Sequence, residues 1–138
     1  MSYLVDTCVL FQLLRKNPEP KVVRWMDERD PMTPLSVLTL GELQKGVSKL
    51  PEDERKEQIQ AWIDRNLLER IEGRILPVDA EVASTWDRIT GEAESRGRKL
   101  PVIDSLIAAT AVSRNLIVVT RNTHDLRGCG AQVFDPWE

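Results

Sequence analysis

The stretch Leu116-Ile117-Val118-Val119 decides the fold class of this sequence. It is apolar, rich in β-branched residues and free of polar alternation, as expected of a parallel strand that is covered on both faces. Residues 102–114, just before it, are almost wholly apolar and long enough for a buried helix. A buried helix that leads directly into a buried strand predicts an α/β fold with a parallel sheet.

Short apolar runs separated by turn residues repeat this pattern along the rest of the chain. The strand candidates are residues 3–5, 32–35, 75–78 and 132–134. The helix candidates are residues 9–14, 21–29, a helix that begins at Ser36 or Thr39, residues 51–73 with Pro51 in the first turn, and residues 79–96 with Asp79 as the N-terminal cap. Right-handed connections between such strands predict a helix-rich, three-layer α/β/α sandwich around a short central parallel sheet.

Length and composition predict one domain over residues 1–138. The chain has 138 residues, of which 41% are hydrophobic and 30% are charged, and single cores usually occupy about 100–200 residues. No apolar run approaches the roughly 18 residues that a membrane span needs, and residues 1–6 lack the basic start of a signal peptide. The expected location is the cytoplasm, without membrane contact.

The charge balance argues against a protein whose entire surface binds nucleic acid, since 19 Lys and Arg residues face 22 Asp and Glu residues. Cys8 and Cys129 lack the C-x-x-C spacing of zinc and redox sites and are expected to be thiols without a role. The single histidine, His124, excludes a His-rich metal site and is expected to be exposed. Any contact with nucleic acid should therefore depend on a few local cations.

Four acids lie among apolar residues rather than in charged company: Asp6, Glu42, Asp104 and Asp125. Each follows a predicted strand or lies in the first turns of the helix after it. Because the carboxyl ends of parallel strands meet at one edge of a sheet, we expect the four side chains to converge there. Carboxylates gathered without a cation repel one another, so the cluster predicts a Mg²⁺ or Mn²⁺ ion that promotes attack of water on a phosphodiester.

Local explanations stay open for three of these acids. Asp104 fits an acid at a helix N-terminus, and Asp125 fits a turn cap in the loop after residues 116–119. Glu42 fits the last position of a capping box that begins at Thr39. Asp6 is the hardest to explain in this way, and the expected convergence of all four favours the metal site.

Four motifs together resemble the PIN-domain nucleases. They are LVDTCVL at residues 4–10, TLGEL at 39–43, LPVIDSLIA at 100–108 and VVTRNTHDL at 118–126. More narrowly, the sequence is similar to the VapC toxins of prokaryotic type II toxin–antitoxin pairs, in the branch that includes FitB. The similarity extends from the first strand to Trp137, with two uncharged departures: Cys8 stands where asparagine is common, and Leu126 where an aromatic residue is common.

This resemblance implies an endoribonuclease that depends on Mg²⁺ or Mn²⁺ and uses Asp6, Glu42, Asp104 and Asp125 as catalytic acids. Asp6 and Asp104 would bind the metal most directly, while Glu42 and Asp125 would act through water. Thr120 and Asn122 would support the site by hydrogen bonds to the acids, and Thr7 would be a further supporting residue.

The resemblance also implies partners. The chain would form a homodimer and would be inhibited by an antitoxin of the VapB or FitA type. The antitoxin's C-terminal segment would cover the acid site, and its N-terminal domain would bind operator DNA. Residues 51–73 resemble a segment that contacts the antitoxin or the second subunit.

Several residues outside the acid set have two interpretations. Cations flanking the acids could bind RNA phosphates or be ordinary solvated side chains: Arg98, Lys99, Arg121 and Arg127. The four tryptophans have apolar neighbours at helical spacing, which favours core or subunit contacts over base stacking: Trp25, Trp62, Trp86 and Trp137.

Three other functions can be compared with the ribonuclease. A phospho-accepting receiver needs further acids near its first strand and a lysine after its last, whereas Asp135-Pro136 follows residues 132–134 here. A PIN-like module that binds partners without cleavage and a nuclease that acts on DNA both stay open as alternatives.

Overall fold

The computed structural model describes residues 2–29, 33–70 and 72–138. Its strands are β1 (Tyr3–Val5), β2 (Leu35–Ser36), β3 (Ile75–Leu76), β4 (Ile117–Val119) and β5 (Val133–Phe134). A parallel sheet has the order β1-β4-β5, with Val118 beside both Leu4 and Val133, and β2 pairs in parallel with β3. The Val5 amide donates to the Pro34 carbonyl at 3.3 Å, which places the β2–β3 pair beside β1.

Helices connect these strands throughout the described ranges. They are α1 (Thr7–Gln12), α2 (Pro20–Arg29), α3 (Val37–Ser48), α4 (Glu54–Trp62), a π-helical turn (Ile63–Leu67), α5 (Leu68–Arg70), α6 (Ala80–Ser95), α7 (Val102–Arg114) and α8 (Thr123–Gly128). None of these helices combines the length and hydrophobicity that a membrane span requires, as far as the described residues go.

The core lies on both faces of the sheet because neighbouring residues of a strand point in opposite directions. Leu4 and Val118 pack on one face with Ile107 of α7. Val5 and Val119 pack on the other face in a cluster that includes helices α1 to α4. This arrangement confirms the predicted three-layer sandwich and explains why residues 116–119 do not alternate in polarity.

The tryptophans belong to this core or line it. Trp25 is buried, and Trp62 and Trp137 pack against the same cluster. Trp86 donates its indole N–H to the Ser105 hydroxyl at 2.9 Å and so joins α6 to α7. The predicted core contacts are confirmed for these side chains.

Several predicted boundaries agree with the structure. The helix at residues 102–114 and the strands at 3–5 and 117–119 are observed, and Asp79 caps α6 by accepting the Val82 amide at 3.0 Å. Helix α1 begins at residue 7 rather than 9. The predicted strand at 75–78 is shorter, and the strand expected from Met32, which lies outside the described residues, is observed as Leu35–Ser36.

The predicted single helix over residues 51–73 is wrong in two respects. Asp53 is the N-terminal cap of α4 and accepts the Lys56 amide at 3.0 Å, so Pro51 lies outside the first turn. The helix then widens into the π-helical turn and ends as α5, and residue 71 lies outside the described ranges. An inserted residue of this kind keeps the apolar stripe nearly in place, so periodicity alone does not reveal it.

Of the two predicted starts for the helix after β2, Ser36 is confirmed and Thr39 is wrong, and the expected loop after β4 is also wrong. Helix α3 is capped by Ser36, which accepts the Leu38 amide at 3.1 Å, and Thr39 is buried inside the helix. Glu42 is therefore not the last residue of a capping box. The expected loop after β4 contains the short helix α8, which carries Asp125 in its first turn.

Candidate active site

Asp6 lies where β1 ends and α1 begins, and local hydrogen bonds fix its carboxylate. The side chain is 7% exposed. Its Oδ1 caps α1 by accepting the Thr7 amide at 2.8 Å, and its Oδ2 accepts the Thr120 hydroxyl at 2.7 Å. Because Thr120 follows β4, the pairing of β1 with β4 creates this contact between residues 114 positions apart.

Glu42 reaches the same edge of the sheet from α3. The Thr7 hydroxyl donates to Glu42 Oε1 at 2.7 Å, and Thr7 is the residue next to Asp6. Thr7, which the sequence placed among the supporting residues, thus contacts one of the acids directly. Glu42 thus has a long-range partner in place of the local capping role that its sequence position also fitted.

A series of hydrogen bonds through Asn122 and Thr120 connects Asp104 to Asp6. The Asn122 amide nitrogen Nδ2 donates to Asp104 Oδ2 at 3.4 Å. The Asn122 backbone N–H donates to the Thr120 hydroxyl at 3.0 Å, and that hydroxyl donates to Asp6. Thr120 and Asn122 therefore contact the acids as predicted.

The negative charges of the other three acids influence the pKa of Asp104. Burial raises the pKa of Asp104 above its ordinary value, and the negative charges of Asp6, Asp125 and Glu42 raise it further. Asp125 is exposed, in α8. The charge of each of the other three carboxylates thus acts on Asp104, as expected for acids at one edge of the sheet.

The acids form an open cluster and not a closed cage. Across residues 2–29, 33–70 and 72–138, no group of three or more His, Cys, Asp or Glu side chains is placed so that it could hold a metal ion. Mg²⁺ often binds at such open sites, because it keeps several water ligands and takes only one or two carboxylates directly. The donor set, all carboxylates with neighbouring hydroxyl and amide groups, suits a hard divalent cation.

Cys8 belongs to the site, which the sequence interpretation missed. Its Sγ lies 3.8 Å from Asp6 Oδ2 and 3.6 Å from Thr120 Oγ1, and it accepts the Arg121 amide at 3.5 Å. Burial raises the pKa of this thiol, and the charge of Asp6 adds to the rise. The available signal was its position two residues after Asp6, within one turn of the helix that Asp6 caps.

The other candidate residues surround the acids at greater distance. Arg98 donates to the Gly128 carbonyl at 3.3 Å and lines a cleft of about 230 Å³ with Arg127. Lys99 is exposed between α6 and α7, and His124 is exposed in α8. Arg121 lies over the Trp137 ring, 5.3 Å from its centroid.

The sequence pattern of the PIN domain matches residues 3–127. This chain belongs to the PIN-domain family. As a PIN domain it is 35% identical to the protein named toxin FitB from Neisseria gonorrhoeae, over 97% of each chain. It is 30% identical to the VapC ribonuclease Y4jK of Sinorhizobium fredii, over 98% of this chain and 97% of that one.

Solved structures show the same relationship. A structure of FitAB bound to an IR36 DNA fragment contains a chain that this PIN domain matches with a TM-score of 0.91 and 33% identity, over 99% of this chain and 96% of that one. The expected family and the α/β/α fold are thus confirmed by both comparisons.

Proposed function

We propose that this chain is a metal-dependent endoribonuclease and the toxin of a toxin–antitoxin pair. The observation that carries the proposal is the set of four acids at one edge of the sheet, two of them linked by Thr120 and Asn122. The name of its relative Y4jK, a VapC ribonuclease, supports RNA as the substrate, and the name of toxin FitB supports the toxin role.

The acids would hold Mg²⁺ or Mn²⁺. Asp6 and Asp104 would bind the ion most directly, with Glu42 and Asp125 acting through water. A bound cation would relieve the electrostatic repulsion between Asp104 and the other three acids. When bound, such an ion lowers the pKa of a water molecule and polarises the phosphoryl oxygens.

The protein's own groups would position the reaction. Thr120 and the Thr7 amide hold Asp6 in one orientation, and Asn122 holds Asp104. The Thr7 hydroxyl occupies Glu42 Oε1, and Oε2 has no donor among the described residues, so it can accept the proton of an attacking water. Attack of the water oxygen on phosphorus would form one P–O bond and break the bond to the leaving oxygen, which would take up a proton from solvent.

Inhibition would come from an antitoxin of the VapB or FitA type. Its C-terminal segment would cover the four acids, and it would contribute the binding of operator DNA. The similarity to a chain of FitAB on a DNA fragment supports this arrangement. We also propose that the chain forms a homodimer in the cytoplasm, with residues 51–73 at a subunit or antitoxin contact.

The cleft lined by Arg98 and Arg127 would bind RNA phosphates near Asp104 and Asp125. Arg96 lines it too, although its guanidinium is paired with Glu92 at 3.1 Å. Lys99 and Arg121 would add positive charge around the acids. Such contacts fix the position of the strand without reading its sequence.

The test uses the chain purified free of antitoxin. We expect it to cleave RNA with Mg²⁺ or Mn²⁺ and to be inactive with a chelator. Asp6→Asn and Asp104→Asn should each lower the cleavage rate at least about 100-fold, because each removes a charge from the ion's site. Asp87→Asn, an exposed acid of α6, is the matched control and should cleave at the wild-type rate.

The result also separates the alternatives. Folded Asp6→Asn and Asp104→Asn variants that cleave RNA as fast as the wild type would refute the mechanism. Cleavage of single-stranded DNA in preference to RNA would indicate a DNA nuclease. Metal binding without cleavage of either polymer would indicate a module that only binds partners.

A further inference from the structure

A groove of about 590 Å³ lies beside the acid site, between the C-terminal end of α1 and the end of the chain. Its lining residues are Gln12, Arg15, Lys16, Asn17, Pro18, Glu19, Pro20, Arg121 and Trp137. The buried Gln12 side chain accepts the Glu19 amide at 3.0 Å and so holds the loop between α1 and α2 in shape. The groove is therefore a defined part of the fold.

The groove and the acids are separated by a single side chain. The Arg121 amide donates to Cys8 Sγ, and that sulfur lies 3.8 Å from Asp6 Oδ2. Arg121 thus has its backbone at the acid site and its side chain in the groove. A polymer with one phosphate at Asp6 would place its next nucleotides in this groove.

The charge of the groove is opposite to that of the acid cluster. Arg15, Lys16 and Arg121 are exposed, and none of them has a carboxylate partner in the described parts of the chain. Glu19 is the one acid that lines the groove, so its lining is cationic overall. Unpaired cations suit a polyanion more than a basic or apolar surface.

Trp137 adds a surface on which a base can stack. The Arg121 guanidinium lies 5.3 Å from the centroid of the Trp137 ring, and the Trp137 amide donates to Asp135 Oδ1 at 2.8 Å, which fixes the turn that carries the ring. Unpaired bases stack on aromatic rings and on guanidinium planes. Bases inside a duplex are already stacked and cannot use this surface.

We propose that this groove is a nucleotide-binding subsite for unpaired RNA next to the cleaved bond. Arg15 and Lys16 bind phosphates, and the Arg121–Trp137 pair stacks one base. The inference rests on the proposed ribonuclease function and assigns its substrate as a single-stranded segment. It also gives Trp137 a role beyond the core contact that its sequence position suggested.

The first test measures binding without cleavage. A fluorescent ten-nucleotide oligouridine is titrated with the full chain in buffer with a chelator, at several salt concentrations. Replacing Arg15 and Lys16 together by Ala should make the negative slope of log affinity against log salt shallower by about 1.4, since each phosphate contact on a single strand contributes about 0.7. The control pair Lys49→Ala and Arg88→Ala removes the same charge from exposed sites elsewhere and should leave the slope unchanged.

The second test addresses stacking. Trp137→Leu should weaken binding at least about 5-fold because it removes the ring on which a base stacks, and Trp137→Phe should restore most of the affinity because it keeps an aromatic ring. An oligouridine that carries 5-iodouridine should crosslink to Trp137 on irradiation. Because Trp137 also packs against the core, the folding of each Trp137 variant is checked by thermal unfolding. The test of the Arg15 and Lys16 variant leaves Trp137 unchanged and does not need this check.

Three results would overturn the subsite: an unchanged salt slope for the Arg15 and Lys16 variant, wild-type affinity for a folded Trp137→Leu, or equal affinity for duplex RNA. Failure of the nuclease proposal would look different. In that case the oligouridine would bind and crosslink to Trp137, but the wild-type chain would not cleave it when Mg²⁺ or Mn²⁺ is added.

Discussion

At the scale of single residues, the site is held in place by uncharged donors before any ligand binds. Asp6 receives hydrogen bonds on both carboxylate oxygens, and Thr120 both donates to Asp6 and accepts from Asn122. Fixed carboxylates need no reorganisation when a cation or a substrate arrives. The threonine is therefore as much a part of the site as the acids are.

Replacing Thr120 by Val should lower the rate of RNA cleavage about 10–100-fold, the usual effect of losing a group that orients a metal ligand. Thr120→Ser keeps the hydroxyl and should keep most of the activity. The matched control is Thr110→Val, which also removes a fully buried hydroxyl, one that donates only within α7 to Leu106 at 2.9 Å. Equal losses of activity in the Thr120 and Thr110 valine variants would mean that the effect is one of stability alone.

Asp104 should make the stability of the metal-free protein depend on pH. Burial and the other three acids raise its pKa in the folded state, so the native state binds this proton more tightly than the unfolded state. Stability is then lost as pH rises from about 4 through the folded-state pKa.

Asp104→Asn removes this penalty. In urea unfolding without divalent metal, we expect the variant to be more stable than the wild type at pH 7, with a difference that shrinks as pH falls to 4. Asp87→Asn, from the exposed face of α6, should show no such gain. An Asp104→Asn variant less stable than the wild type at pH 7 would contradict the expected repulsion.

The site residues that could be predicted from the sequence are charged acids, whereas the one that was missed, Cys8, is uncharged. An acid among apolar neighbours, such as Asp6 or Asp104, is visible because its burial requires an explanation. Cys8 carries no charge, and cysteine is commonly buried in a core, so its apolar sequence neighbours do not mark it as a functional residue. Its contact with Thr120, 112 positions away, exists only because β1 pairs with β4.

At the scale of elements, segments with a strong apolar pattern were predictable, and the polar helix α8 was not. Helix α7 and strand β4 have strong patterns, and they are found where the sequence places them. Helix α8 has six residues, no side-chain cap and a polar sequence, so it resembles a loop until it packs beside α7 and β5. Asp125 was therefore predicted from its place after the strand at 116–119, and the helix that carries it was not predicted.

The crossing of α1 and α3 brings Asp6 and Glu42 together, and it depends on a glycine. A Cβ at Gly46 would overlap the Phe11 ring, whereas a Cβ at Gly41, one turn and a half earlier in α3, would meet nothing within 4 Å. We expect Gly46→Ala to lower the free energy of unfolding by about 1–3 kcal/mol. Gly41→Ala should raise it by about 0.5–1 kcal/mol through helix propensity, and urea unfolding compares the two. Equal stability of both variants would show that the Phe11 ring moves aside without cost.

At the scale of the whole molecule, the acidic balance of the sequence has a local origin. The net charge is −3, and once the four acids of the site are set aside, 19 basic and 18 acidic residues remain. The rest of the surface is nearly neutral, with cations gathered in the groove and the cleft beside the site. Composition could predict a weak overall field, but only the fold shows how the charges are divided.

The concentration of negative charge at the four acids predicts that a bound divalent metal ion stabilises the folded protein. An ion that binds only the folded state, present at 100 times its dissociation constant, adds about 2.7 kcal/mol to the free energy of unfolding, or roughly 5–10 °C in Tm for a chain of this size. Thermal unfolding with Mg²⁺ or Mn²⁺ should show this rise for the wild type and for Asp87→Asn, and little of it for Asp6→Asn. NaCl at the same ionic strength screens the acids without binding among them, so it should give a smaller rise. A rise of equal size with NaCl, or in Asp6→Asn, would mean that screening and not a bound ion relieves the repulsion at Asp104.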